Sequence, residues 1–139
     1  MTAHDPSLHP AIAPLAGPAE SEAGGLLTID LAAIAANWKK LSGMTVPVEC
    51  AAVVKADAYG CGLEPVARKL LEAGCRTFFV ADLTEGRRLR TIAASADIYL
   101  LNGIAPGTAP AVAEMRLRPV INSPTELAEW DSFVARKGW

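Results

Sequence analysis

The stretch AAVVKADAYGCG, residues 51–62, decides the fold. Four small apolar residues lead directly into Lys55, and this run is too short and too β-branched at its end for a helix. It predicts a buried strand of the kind found in parallel sheets. Gly60 and Gly62 follow where the strand must turn into a helix, so the stretch predicts a strand–turn–helix unit with Lys55 at the turn.

The position of Lys55 carries a chemical implication. Burying an ammonium is costly, so its head either reaches water or has a lowered pKa. A lysine with a lowered pKa is a nucleophilic amine, commonly used to form a Schiff base with an aldehyde. Glycines allow backbone N–H groups to approach a ligand, and a helix start behind them suits a phosphate. Together they indicate an aldehyde carrying a phosphate, namely pyridoxal 5′-phosphate. The alternative is an ordinary surface lysine after a strand.

Strands and helices alternate along the rest of the chain. Apolar runs predict strands at 26–29, 50–55, 77–81, 97–101 and 118–121. Caps and apolar periodicity predict five helices. The first is capped by Asp30, turns Leu31, Ile34, Trp38 and Leu41 inward and is ended by Gly43. The second starts near Leu63, with Gly74 just past its end, and the third is capped by Thr84 with Leu89 and Ile92 inward. The fourth is short and holds Val112 and Met115. The fifth opens with a capping box at Ser123–Glu126, buries Leu127, Trp130 and Phe133 or Val134, and stops by Gly138.

This alternation predicts an α/β fold with parallel strands and right-handed crossovers. The units repeat every ~20–25 residues, which is the pace of a (β/α)₈ barrel, but a full barrel needs about 250 residues. The chain has 139. The residue pattern therefore leaves two folds open: the first half of a TIM-type barrel, or a small doubly wound sheet.

Composition narrows the class of protein. The net charge is −2, which gives no electrostatic basis for binding nucleic acid or an anionic membrane. No apolar run approaches the ~18 residues of a membrane span, and no Lys or Arg precedes Lys39, so the basic start of a signal peptide is missing. Three cysteines without CxxC spacing favour a reducing cytoplasm. Residues 1–25 are rich in Pro and Ala and predict a disordered tail. We expect no metal site from His4 and His9, which lie in that tail.

Residues 54–62, VKADAYGCG, closely resemble the cofactor-lysine signature of alanine racemases. Cys61 stands where that family usually has His, and Asp57 where Asn or Asp is seen. Residues 28–37 resemble the opening of these enzymes, and 81–85 and 98–103 resemble them moderately. The resemblance implies that residues 26–139 are the first half of the family's (β/α)₈ barrel, an N-terminal fragment with about four parallel strands.

The resemblance also implies roles for individual residues. Lys55 would bind pyridoxal phosphate covalently and serve as one of two bases that interconvert L-alanine and D-alanine. Tyr59 would lie by the cofactor phosphate, and Leu101 would pack near the pyridine ring. Val53 would line the barrel near that ring or belong to the plain core.

Other parts of the family's site would lie after position 139. They are a second base, a tyrosine from the other subunit of a homodimer, and two arginines that hold the ring nitrogen and the substrate carboxylate. We therefore expect the isolated chain to be inactive. The family's product, D-alanine, would be used in peptidoglycan synthesis. The two arginines of the family's site do not match Arg87, Arg88, Arg116 or Arg118 of this chain, which we interpret as solvated side chains.

Three other functions remain open at this point. They are a non-catalytic module that binds pyridoxal phosphate, a broader-specificity amino-acid racemase, and a doubly wound interaction domain without a cofactor. Covalent modification of Lys55 by pyridoxal phosphate would distinguish the interaction domain, in which it is not expected, from the two functions that use the cofactor. A nucleotide-binding module is disfavoured because the chain has neither a G-x-G-x-x-G nor a P-loop lysine pattern.

Overall fold

The computed structural model describes residues 19–138. Most of the predicted disordered tail, with His4 and His9, lies outside the described residues. Near the start of the described range, Glu20–Glu22 forms a single 3₁₀ turn. No helix in this part of the chain is long and apolar enough to span a bilayer.

Four parallel strands alternate with helices, as predicted. The strands are β1 (Ala52–Val53), β2 (Thr77–Val80), β3 (Asp97–Leu100) and β4 (Arg118–Pro119). The helices are α1 (Leu31–Thr45), α2 (Lys55–Tyr59), α3 (Leu63–Ala73), α4 (Leu83–Ile92), α5 (Ala109–Glu114) and α6 (Pro124–Lys137). The strand order is β1-β2-β3-β4, and every neighbouring pair is parallel.

This strand order separates the two folds that the sequence left open. A doubly wound sheet reverses its strand order at a switch point, whereas here each strand pairs with the next one along the chain. Right-handed crossovers then bring the helices to one face, where Phe78, Val80 and Leu100 are fully buried. The opposite face carries the half-exposed side chains of Phe79 and Tyr99. The chain is therefore the first half of a (β/α)₈ barrel, with this second face as the barrel interior.

The helix starts follow local sequence. The Asp30 carboxylate accepts a hydrogen bond from the Ala33 N–H at 2.9 Å, and the Ser123 hydroxyl accepts one from the Glu126 N–H at 3.2 Å. The Asp30 cap and the Ser123 half of the predicted capping box are confirmed. The other half differs, because the Glu126 carboxylate accepts the N–H of Asn122 at 3.0 Å and not that of Ser123. The predicted Thr84 cap is wrong, because Asp82 takes that position: its carboxylate accepts from the N–H groups of residues 84 and 85 at 2.9 and 3.1 Å.

The strand predicted at 26–29 is also wrong. Residues 23–30 form neither helix nor strand, and Leu26 and Leu27 are 66% and 81% exposed. A strand needs a neighbour for its backbone groups, and none of the strands in the described range pairs with this segment. The two strands at the edges of the sheet, β1 and β4, are shorter than predicted for the same reason, because each has a partner on one side alone.

Two helix details differ from the sequence expectations. Helix α1 continues past Gly43 to Thr45, since one internal glycine costs only about 1 kcal/mol relative to alanine. Leu41 and Leu127, expected inward, are 55% and 57% exposed. In α6 the buried position belongs to Phe133, whose ring contacts that of Trp130 at 5.7 Å.

Arg90 joins the ends of two helices. Its guanidinium donates hydrogen bonds to five backbone carbonyls, those of Ala93, Ala94, Ala96, Met115 and Arg116. Burial lowers its pKa from the ordinary value, with a smaller contribution from the nearby Arg116 charge. This side chain satisfies carbonyls that a helix end leaves without an intrahelical partner.

We expect Leu89→Ala to lower the free energy of unfolding by about 2–5 kcal/mol, because the side chain is fully buried and its truncation leaves a cavity. Urea unfolding followed by circular dichroism measures the loss. The same substitution at the exposed Leu127 is the matched control, with an expected change within about 0.5 kcal/mol. Equal losses at the two positions would contradict this assignment of the core.

Candidate functional site

The candidate site lies at the carboxyl edge of the sheet. Val53, Phe79, Tyr99 and Arg118 form one row across the four strands. Lys55 and Leu101 lie two residues beyond Val53 and Tyr99 in this register, and the Leu101 N–H donates to the Val80 carbonyl at 2.9 Å. The structure therefore brings two of the three sequence-predicted site residues to the same edge of the sheet.

Lys55 and Tyr59 occupy the two ends of α2. Lys55 is half-buried, and Tyr59 is 64% exposed. Within residues 19–138, neither the Lys55 amine nor the Tyr59 hydroxyl forms a hydrogen bond or ion pair. Both polar groups are therefore available to a ligand as far as the described residues go.

Helix α2 is a single left-handed turn. Ala56, Asp57, Ala58 and Tyr59 have φ values of 54–56°, a conformation that costs about 1–2 kcal/mol for each non-glycine residue. Gly60 and Gly62 continue at φ 83° and 89°, so the predicted role of the glycines in the turn is confirmed. Four strained residues in succession persist only where surrounding contacts hold them.

The backbone N–H groups that follow the left-handed turn donate their hydrogen bonds to acceptors within the turn itself. The N–H groups of residues 60, 61 and 62 donate to carbonyls within α2 at 2.9–3.2 Å. The next N–H, that of Leu63, donates to Oδ1 of Asp57 at 3.1 Å. The prediction that these N–H groups and the start of α3 bind a phosphate is therefore wrong, because the chain's own acceptors already occupy them.

Glu85 ties the turn to the neighbouring strand. Its Oε1 accepts a hydrogen bond from the Asp57 N–H at 3.0 Å, and its Oε2 accepts one from the Ala81 N–H at 2.8 Å. One carboxylate thus bridges the middle of α2 and the end of β2. The resemblance at residues 81–85 pointed to this segment but not to this contact.

Arg88 ties the same turn to α3. Its Nη2 lies 2.7 Å from Oδ1 of Asp57, and its Nε and Nη2 each donate to Glu64 at 2.8 Å. The interpretation of Arg88 as a merely solvated side chain is wrong, although it is 42% exposed. Asp57, Glu64, Glu85 and Arg88 are called the Asp57 clamp below.

The clamp shifts the titration of its own carboxyl groups. The Leu63 N–H, followed by Arg88, holds the pKa of Asp57 below its ordinary value. For Glu64 the hydrogen bond from Arg88 is the largest cause of the lowered pKa. The pKa of Arg88 is raised by the same two carboxylates, so the guanidinium stays charged throughout.

The interior face holds a second charged group that the sequence did not reveal. Arg118 lies 2.7 Å from the Asp97 carboxylate, donates to the Tyr99 hydroxyl at 2.9 Å and stands over the Tyr99 ring. The rings of Phe79 and Tyr99 stack at 4.8 Å. Arg118 is thus paired rather than solvated, one row below Lys55. Among the described residues no cluster of three or more His, Cys, Asp or Glu side chains is arranged to hold a metal ion.

Fold and site together define a class: a (β/α)₈-barrel segment with an available lysine just beyond its first strand. The family model described as "Alanine racemase, N-terminal domain" matches residues 29–139. The chain belongs to this family.

Similar proteins agree with this assignment. An alanine racemase of Methylobacterium nodulans is 56% identical over 112 residues, covering 81% of this chain and 30% of that protein. A crystal structure of alanine racemase from Bartonella henselae with covalently bound pyridoxal phosphate matches with a TM-score of 0.77 and 40% identity, over 79% of this chain and 31% of that one. A histidine racemase from Leuconostoc mesenteroides matches with a TM-score of 0.69 and 27% identity, over 78% and 29%. The chain thus spans less than a third of the length of these proteins.

We expect the carboxyl groups of Asp57 and Glu64 to titrate below their ordinary values of 3.8 and 4.5. Arg88→Gln should raise the titration midpoints of both carboxyl groups. The midpoint of Glu64 should rise more, because the hydrogen bond from Arg88 is the largest cause of its lowered pKa. Carboxyl-carbon NMR measures them. A carboxyl with a lowered pKa in the folded state stabilises the fold above its unfolded pKa and loses this effect as the pH falls through the folded pKa. The clamp should therefore hold above about pH 4.5 and weaken below it.

Arg87→Gln is the control for this titration, because the neighbouring Arg87 forms no hydrogen bond or ion pair with residues 19–138. It should leave both midpoints unchanged. A larger shift at Asp57 than at Glu64 would contradict the assigned contacts.

Proposed function

We propose that the protein carrying this chain is an alanine racemase that uses pyridoxal 5′-phosphate, with Lys55 as the residue that binds the cofactor. The observation that carries the proposal is the half-buried lysine, without a partner in the described range, at the carboxyl edge of a half barrel of this family. The covalently bound pyridoxal phosphate of the Bartonella henselae relative supports the choice of cofactor.

The residues at this edge fit that cofactor. Pyridoxal phosphate supplies an aldehyde that a lysine amine can join and a ring that withdraws electrons from the reacting carbon. The Lys55 amine supplies the nucleophile. The exposed Tyr59 hydroxyl is a donor for a phosphate oxygen. Leu101 offers an apolar side chain for one side of the ring, and Val53, 45% exposed on the same face, lines the space below.

Inverting a carbon centre requires a proton to leave on one face and to arrive on the other, so two proton-transfer groups are needed. Lys55 serves as one of them, taking or returning the proton at its amine. The second group and the groups that hold the substrate carboxylate belong to the remainder of the protein, in a homodimer. The three free cysteines of this chain favour a location in the reducing cytoplasm, where the product D-alanine would enter peptidoglycan synthesis.

A chimera tests this function. Residues 29–138 replace the matching segment of the Methylobacterium nodulans alanine racemase, and the conversion of L-alanine to D-alanine is followed by chiral chromatography. The chimera should racemise alanine, and Lys55→Ala should abolish turnover, because it removes the amine that binds the cofactor. Borohydride reduction followed by peptide mapping should place the cofactor on Lys55.

Lys69→Ala is the matched control, since Lys69 is a partly exposed lysine on α3 paired only with Glu72 among the described residues. It should keep full activity. Labelling of Lys55 without turnover would favour the non-catalytic cofactor module, and the absence of labelling would contradict both readings.

A broader amino-acid racemase is the second candidate, because the histidine racemase of Leuconostoc mesenteroides shares this fold. The same chimera is assayed with L-histidine. Turnover of alanine at least tenfold faster than histidine supports the first candidate, and comparable rates support the second.

We expect Tyr59→Phe to weaken cofactor affinity by roughly tenfold, since a hydrogen bond to a charged group contributes about 1.5–3 kcal/mol, of which solvent exposure removes part. Titration with pyridoxal phosphate, followed by absorbance, measures the affinity. Tyr99→Phe is the control, because the Tyr99 hydroxyl is bonded to Arg118 and lies a row below. Equal losses in the two variants would contradict a phosphate contact at Tyr59.

A further inference from the structure

Among the described residues, every hydrogen bond between the left-handed turn and helices α3 or α4 involves one residue, while Ala58 of the turn packs into the core. Asp57 is two residues from both Lys55 and Tyr59, in the middle of α2. Its N–H donates to Glu85, and its carboxylate accepts from the Leu63 N–H and from Arg88. The hydrogen bonding that ties the turn to α3 and α4 therefore depends on Asp57.

The turn sets the relation between the two polar groups proposed to hold the cofactor. Lys55 stands before the four left-handed residues and Tyr59 is the last of them. A return of any of these residues to the ordinary right-handed region would redirect the chain between the two side chains. Their relative placement is thus a direct consequence of the left-handed conformation.

We propose that Arg88 is a positioning residue for Lys55. Its guanidinium binds Asp57 and Glu64 and so stabilises the left-handed conformation of α2. This conformation places the Lys55 amine and the Tyr59 hydroxyl where both can bind the same cofactor molecule. The part concerning the cofactor rests on the proposed function, whereas the grip on α2 does not.

Arg88 is suited to this role by its geometry. Its planar guanidinium donates to Glu64 from Nε and Nη2, and Nη2 also donates to Asp57. A lysine cannot reproduce this fork. The pairs are 38–50% exposed, so removing Arg88 leaves no buried unpaired charge and should leave the fold intact. Glu85 is a poorer test residue, because its loss would strip two backbone N–H groups of their acceptor.

The first measurement is hydrogen exchange by mass spectrometry on the full chain without cofactor. In Arg88→Gln, peptides covering residues 55–63 should exchange roughly three- to tenfold faster, while those of β2 and β3 keep their protection. Arg88→Lys should recover part of the protection through its charge. Arg87→Gln, on the same helix, should match the unmodified chain. Equal exchange in the two Gln variants would overturn the grip on α2, and with it the proposal.

The second measurement follows the rate at which pyridoxal phosphate, trapped by borohydride, labels Lys55 in the full chain. Arg88→Gln should lower this rate roughly fivefold, while labelling of Lys69 stays unchanged. The difference should shrink in 1 M salt, because these exposed pairs are screened. A general structural defect would lower the unfolding midpoint well beyond the small change expected from losing these exposed pairs, which contribute at most about 1 kcal/mol each.

The outcomes separate this inference from the proposed function. If the unmodified chain labels Lys55 and Arg88→Gln labels it equally well, the positioning role is overturned and the proposed function stands. If the unmodified chain does not label Lys55, the cofactor part of this inference is overturned, the role of Arg88 in holding α2 is decided by the exchange experiment, and the proposed function is decided separately by labelling and turnover in the chimera.

Discussion

Backbone hydrogen bonds hold the four strands parallel, and parallel pairing requires every connection to cross over one face of the sheet. That face is where the core forms, around Phe78, Ile98 and Leu100, none of which is exposed. The other face and the carboxyl edge remain open for chemistry. Lys55 lies at this edge because it comes two residues after the last residue of the edge strand β1, and Leu101 lies there because it directly follows β3.

Two glutamates reinforce the edge in the same way. Glu85 and Glu126 are each the third residue of a helix that follows a strand, and each accepts the N–H of the residue just before the helix cap, at 2.8 and 3.0 Å. Each glutamate also contacts the segment that follows the neighbouring, earlier strand, which is β1 for Glu85 and β3 for Glu126. Glu85 accepts the Asp57 N–H, and the Glu126 carboxylate lies so close to Gly103 that a side chain there would collide with it. One glutamate therefore connects the segments that follow β1 and β2, and the other connects those that follow β3 and β4.

Local signals in the sequence were enough to predict most of the elements and the position of Lys55 just beyond a strand. The caps at Asp30 and Ser123 were correct because a cap depends on residues three positions apart. The placement of Lys55 at a strand end and the need for glycine at 60 and 62 followed from the same short range. The strand at 26–29 failed because pairing requires a neighbour, and the phosphate site at α3 failed because Asp57 already accepts the Leu63 N–H.

The sequence by itself determined the alternation of strands and helices, their parallel arrangement and the family, since periodicity, caps and the signature around Lys55 are all written within a few residues of one another. Only the tertiary structure decided that four non-glycine residues adopt a left-handed turn and that Arg88 holds it. The physical reason is distance along the chain: Arg88 meets Glu64 and Asp57 across 24 and 31 residues, and such contacts exist only once α3 and α4 have packed on the same sheet.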